Sequence, residues 1–176
     1  MDIEKRRRRV ARLSGLTRGA ALAMAAVLPV LGAAYWGFAS SAEISVAAGL
    51  GGAPVEFGTF ERIGAAVLSV IPVLALSWGL WRLAATLQLF GRGQPFAPAA
   101  ANGLRDFGWG VLACAILKPI AGAALSVLLT WNGAKSLAIS LSSDTLLLLL
   151  LGGVMTLMGW ALSEAAALAE ENAQFV

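Results

Sequence analysis

The stretch LFGRGQPFAPAAANGLRDFGW, residues 89–109, separates two long apolar runs and resembles neither. Gly91 and Gly93 stop a helix, and residues 94–96 turn the chain. Pro98 suits the first position of a new helix, where its missing N–H costs nothing. Phe96 is placed to pack back on that helix as a staple, whereas Ala97 is a poor cap compared with serine. The stretch reads as a helix stop, a tight turn and a helix start.

The runs on either side set the class of protein. Of the 176 residues, 59% are hydrophobic and 13% charged, against about 25% charged in an ordinary soluble domain. With a mean hydropathy of +0.78, a soluble core is the wrong description, and the length suits a single integral membrane domain over 1–176. The chain has no histidine and one cysteine, Cys114. Histidine haem ligation, imidazole zinc sites, histidine acid–base catalysis and any internal disulfide are thereby excluded.

A bilayer core of roughly 30 Å needs about 20 mainly apolar residues per helix. Four windows qualify, at about 19–38, 63–83, 108–131 and 146–168. Lys5, Arg6, Arg7, Arg8, Arg9, Arg12 and Arg18 lie in the basic segment 1–18, and Arg92 and Arg105 in the 89–107 connection. The other two connections hold only Arg62 and Lys135. The positive-inside rule then puts both termini and the hinge in the cytoplasm. A cleaved signal peptide ending near "SSA" at 40–42 is the rival reading, but its apolar run of about 20 residues exceeds the 7–15 expected of a signal core.

The fold expected is all-α, a four-transmembrane-helix bundle with cytoplasmic helix extensions and a small extracytoplasmic β-structure. The second helix runs from Arg62 to Phe90 with only Pro72 as a breaker, and the third starts at Pro98. "AEISVAAGLGGAPVEFGTF" (42–60) places two short β-prone runs around a Gly-Gly break, which favours a hairpin over irregular loop. "SLAISLSS" (136–143) alternates with period two, as a strand does. Ser142, Ser143 or Asp144 caps the last helix.

An ionisable residue inside a span is a functional hypothesis by default. Lys118 lies roughly 15 Å into the third span at 1.5 Å per residue, and Pro119 beside it frees a backbone carbonyl. It suits anion binding, proton relay or gating, or else snorkels while stabilising a kink. Arg82 and Glu164 have matching depths near the inner interface, so a salt bridge between them is expected, with separate solvation at the headgroups as the alternative. Pro29, Pro72 and Pro119 recur near mid-span, marking a lined cavity or ordinary membrane-helix packing. Gly152, Gly153 and Gly159 permit close helix approach, within the bundle or in a homo-oligomer.

No nucleophile–base pair, paired acids or phosphate loop is present, so no catalytic, cofactor or metal residues are assigned and an enzyme is not expected. Lys5, Arg6, Arg7, Arg8, Arg9 and Arg12 directly precede a span. There they serve anionic lipid headgroups and topology, at about 1 kcal/mol each, and direct nucleic-acid binding is not expected. The acidic tail with Glu164, Glu170 and Glu171 either meets a basic soluble partner or is a solvated helix end.

Several stretches together resemble one bacterial family. "GQPFAP" (93–98) leads to "LRDFGW" (104–109), "ISLSSDTLLLLLLGG" (139–153) opens the last span, and the chain closes with "EENAQFV" (170–176). Over roughly 60–176 this is similar to the DUF2975 family of four-span membrane proteins. Ala97 stands where the family usually has serine, and "AAANG" follows where it is more basic. The resemblance implies the bacterial inner membrane and a partner of the helix-turn-helix class, a small cytoplasmic regulator held or inhibited at the membrane. Arg92, Gln94, Pro95, Phe96, Arg105, Glu170 and Glu171 would then carry the contact. Two other functions stay open: a small transporter or channel with an anion or proton path at Lys118, Arg82 and Glu164, and a structural subunit of a membrane complex.

Overall fold

The computed structural model describes residues 3–40, 42–44, 58–94, 97–129 and 142–173. Almost all of them belong to four long helices: α1 (Ile3–Phe38), α2 (Thr59–Gly91), α3 (Pro98–Leu129) and α4 (Ser143–Ala173). Each contains a stretch long and apolar enough to cross a membrane, and the chain is a multi-pass membrane protein. With 31 to 36 residues per helix, each is roughly 46–54 Å long, against a hydrocarbon core of about 30 Å.

The helix ends follow from local chemistry. Gly93 adopts φ 78°, a left-handed conformation that glycine enters without steric cost. Its N–H donates to the Phe90 carbonyl at 3.0 Å, and the Gln94 N–H reaches back to Leu89 at 3.0 Å. Those two bonds make a Schellman motif, which satisfies carbonyls the helix end leaves free. Four residues after Gln94, Pro98 opens α3, and the Ala97 carbonyl accepts from Ala100 at 2.8 Å. Pro95 and Phe96 lie outside the described residues, and the Phe96 staple with them. At the start of α4, Ser142 occupies the cap: its carbonyl accepts from Thr145 at 3.0 Å and its hydroxyl meets the Thr145 hydroxyl at 3.2 Å.

The described residues contain no strand, and the β-structure expected between spans is contradicted where it can be followed. Residues 42–44 form a helical turn, and from Thr59 the chain is already α2. The sequence Ser40–Ser41–Ala42–Glu43 is a capping box. The Ser40 N–H and hydroxyl both donate to Glu43 Oε2, at 2.8 and 2.7 Å, and the Glu43 N–H donates to Ser40 Oγ at 3.4 Å. The reciprocal bonds start a helix where β-branched residues suggested a strand. Residues 45–57 of the expected hairpin and 136–141 of the expected strand lie outside the described residues, and Ser143 is helical.

Packing is sequential: α1 lies on α2, α2 on α3 and α3 on α4, while α1 and α4 share no extensive interface among the described residues. The middle interfaces are built from small residues. A Cβ on Gly110 would stand 2.7 Å from the Gly79 Cα, and one on Gly152 would stand 3.0 Å from the Leu112 N and 3.1 Å from the Gly108 carbonyl. Backbone meets backbone there, as small residues allow between helices in lipid. Gly152 and Gly159 therefore serve the α3–α4 contact, whereas Gly153 faces open space. At the opposite end an apolar cluster joins Trp36, Ala39, Ile44, Ala65, Leu125 and Leu129, with Ile44 fully buried. Arg62 tightens that end by donating to the last carbonyls of α1, to Ala39 at 3.1 Å and Trp36 at 3.5 Å, a favourable place for a cation. The outer leucines of α4, among them Leu146, Leu147, Leu150 and Leu157, are exposed, a face suited to lipid.

Candidate functional site

The bundle packs tightly in one half and parts in the other. Toward the α2–α3 turn, Gly103 lies against Thr86 and Gly159 against the Arg105 backbone. The Thr86 hydroxyl also reaches the Ala100 carbonyl at 3.4 Å. Past Gly108 and Gly110 on α3, the next residues are larger and Pro119 sits inside the helix. There the helices part around a half-open cavity of about 440 Å³ to which all four contribute. Trp36 comes from α1; Ser69, Pro72 and Val73 from α2; Cys114, Lys118, Pro119 and Leu125 from α3; Thr145 and Leu148 from α4, with Ser142 from the cap before it.

Lys118 is the chemically distinctive member of this lining. Its side chain is exposed, and among the described residues no carboxylate pairs with it. Along α3 it stands roughly 14 Å from Trp109 at 1.5 Å per residue, near the middle of the apolar stretch. Within 19–38, 63–81, 108–129 and 145–163 it is the only charged residue. Pro119 supplies the local reason for the space around it. A proline inside a helix cannot donate to the carbonyl four residues earlier, here Ala115, and its ring pushes that turn apart. Pro72 lines the opposite wall, so two of the three mid-span prolines border the cavity, whereas Pro29 does not.

Cys114 also lines the cavity and is buried. Ser69, Ser142 and Thr145 add hydroxyls, and the rest of the lining is mainly apolar. Such a mix, a few polar groups in an apolar wall, is the usual make-up of a small-molecule pocket. No nucleophile–base geometry is assembled by these residues.

Arg82 has a different partner from the one expected. Its Nε donates to Asp106 Oδ2 at 2.7 Å and its terminal nitrogen bridges the same oxygen, with side-chain exposures of 38% and 18%. Glu164 is exposed on α4, a helix that has no extensive interface with α2, so matching depth does not bring it to Arg82. Asp106 is the residue that sequence reading missed. Its signal was the hairpin itself: Arg82 and Asp106 are nearly equidistant from Gln94, as are Gly79 and Gly110, and Thr86 and Gly103.

The remaining predicted residues are scattered. Lys5, Arg6, Arg7 and Arg8 lie in the first turns of α1, and Arg9 and Arg12 follow as exposed side chains. Arg92 and Gln94 are exposed beside the Schellman turn. Arg105 is half-buried against Gly159. Glu170 lies in the last turns of α4, and Glu171 is exposed. No family model, curated protein or solved structure matches this chain.

Proposed function

We propose that the chain is a ligand-binding protein of the bacterial inner membrane that holds an anion at Lys118, by binding and not by catalysis. One observation carries this reading: the single charged side chain of the apolar slab lines a cavity walled by all four helices. A cation at that depth is costly unless it meets a partner or water. A bound anion provides the first.

Membrane placement supports the same reading. Trp78, Trp81 and Trp109 are exposed near the Gly79–Gly110 contact, with Trp160 somewhat closer to the α2–α3 turn, and Tyr35, Phe38 and Phe60 are exposed toward the opposite end of the bundle, the pattern of interfacial aromatic belts. Phe60 and Trp81 are separated by roughly 32 Å of helix, close to the ~30 Å core. The belts put Lys118 near the midplane and Arg82, Asp106 and Glu164 at headgroup level. All four helices then extend past the belt on the side of the basic N-terminus, which the positive-inside rule makes cytoplasmic together with both chain ends.

The test is thermal unfolding of the purified protein in neutral detergent, across a series of anions at constant ionic strength. A ligand bound only by the native state raises the midpoint by mass action. Anions that raise it should do so for the native chain and not for Lys118→Met. Equal responses in both proteins contradict the reading. Anion flux through reconstituted protein would turn the site into a conduit, the channel form of the same chemistry.

A second reading is docking of a small helix-turn-helix regulator at the 89–107 turn. It is favoured by the exposed Arg92 and Gln94 on a capped turn and by the resemblance to DUF2975. Its test is a pull-down from native cells beside a variant with residues 91–98 replaced by Gly-Ser. Loss of a soluble DNA-binding protein from the variant alone supports docking. Retention of none by either protein contradicts it.

A further inference from the structure

We infer that the ligand of the Lys118 cavity is an amphipathic organic monoanion, a single acidic head on an apolar body. The inference rests on the anion-binding reading above and adds the class of molecule. Three features select it. The space of about 440 Å³ falls in the 300–1,000 Å³ range of pockets for small organic ligands, and a simple inorganic anion would leave most of it unfilled. One cation serves one acidic head: among the described residues no second lysine or arginine lines the cavity, so a multiply charged phosphate would be left undercompensated in an apolar setting.

The third feature is the arrangement of the lining along the helices. Lys118, Cys114 and Leu148 stand at the end nearer the closed half of the bundle, and Trp36 and Leu125 extend toward the α1 C-terminus and the end of α3. A head at Lys118 thus has apolar wall beside its body and further hydroxyls at Ser69 and Thr145. Beyond Lys118 toward the α2–α3 turn, the backbone contacts of Gly79 with Gly110 and Gly108 with Gly152 leave no room for the ligand to pass. The cavity is a one-sided receptacle, which suits retention of a molecule more than its conduction.

Cys114 gives a site-specific readout, because it is the only cysteine of the chain and lines the cavity. The rate of its alkylation by N-ethylmaleimide is measured in full-length protein reconstituted in neutral-lipid vesicles. Oleate presents the chemistry from the bilayer and 4-phenylbutanoate presents it from water; oleyl alcohol and inorganic phosphate lack the head and the body in turn. At least one of the two monoanions should slow alkylation about tenfold or more, equivalent to about 1.4 kcal/mol of added protection, and whichever does so names the source. Neither control should match it. Protection should persist in Lys118→Arg and vanish in Lys118→Met, each compared with its own ligand-free rate. Protection by phosphate alone, dependent on Lys118, overturns the ligand class and leaves the anion reading standing. Protection by oleyl alcohol equal to that by oleate, indifferent to Lys118, overturns the ligand class as simple partitioning. No protection by any compound in the native protein overturns both.

Discussion

Arg82 and Asp106 join α2 to α3 through a 2.7 Å bond from Nε to Oδ2, with a second guanidinium nitrogen on the same oxygen. The pair lies on the turn side of the Gly79–Gly110 contact, between it and the Thr86–Gly103 contact. It fixes the rotational register of the two helices in the half of the bundle that has no cavity. Because Arg82 is partly exposed, solvent screens part of the attraction.

Asp106→Asn and Arg82→Met are each expected to destabilise the protein by about 1–2 kcal/mol, the scale of a partly buried charged hydrogen bond. The exchange Arg82→Asp with Asp106→Arg should recover part of that loss. Glu164→Gln, on an exposed side chain with no such bond, should stay within about 0.5 kcal/mol. Denaturant titration in mixed micelles measures all four. Strict additivity in the exchange would show that the two residues do not act as a pair.

Gly152 and Gly153 are neighbours with opposite surroundings. A methyl on Gly152 meets the Gly108 carbonyl and the Leu112 backbone, whereas a methyl on Gly153 meets nothing within 4 Å. Gly152→Ala should cost about 1–3 kcal/mol through forced separation of α3 and α4. Gly153→Ala should be neutral or stabilising by up to about 1 kcal/mol, the helix-propensity gain of alanine. Paired unfolding curves decide the matter, and equal effects at both positions would place the α3–α4 contact elsewhere.

The legibility of the chain divides between local and tertiary chemistry. Gly93 and Pro98 announced the α2 stop and the α3 start because each acts through its own backbone. Apolar length announced the four helices. Lys118 was legible for a related reason: a charge in an apolar span has few innocent explanations. That it lines a cavity depends on Pro72 and on α4 side chains, which no pattern along α3 reveals. The Arg82 partner failed because matching depth does not say which helices are neighbours; symmetry about Gln94 does. The short helical turn after Ser40 is encoded by S-x-x-E, a local cap that outweighs the strand preference of the β-branched residues following it.

The Ser40–Glu43 capping box makes stability depend on pH. The Ser40 hydroxyl, and after it the Ser40 backbone N–H, donate to Glu43 and hold its carboxyl below the usual glutamate range. A lowered folded-state pKa means that the contribution is present above the unfolded-state value and fades as pH falls through the folded-state value. Native protein should therefore lose stability on acidification below the usual glutamate range relative to Glu43→Gln, which lacks the titration. Parallel acid limbs for the two proteins would contradict the linkage. Ser40→Ala removes the leading donor and should move the native curve toward that of Glu43→Gln.

The central claim is that Lys118 places a positive charge in an accessible cavity within the bilayer-spanning part of the bundle. Cys114, the sole cysteine and a wall of the same cavity, reports on it most directly. Its modification rate is measured with an anionic and a cationic methanethiosulfonate of similar size, in native protein and in Lys118→Met. The account predicts faster modification by the anionic reagent in the native protein, by about tenfold relative to the variant's own ratio, since about 1.4 kcal/mol of attraction is a factor of ten. Equal ratios in the two proteins, with Cys114 reactive in both, would contradict it.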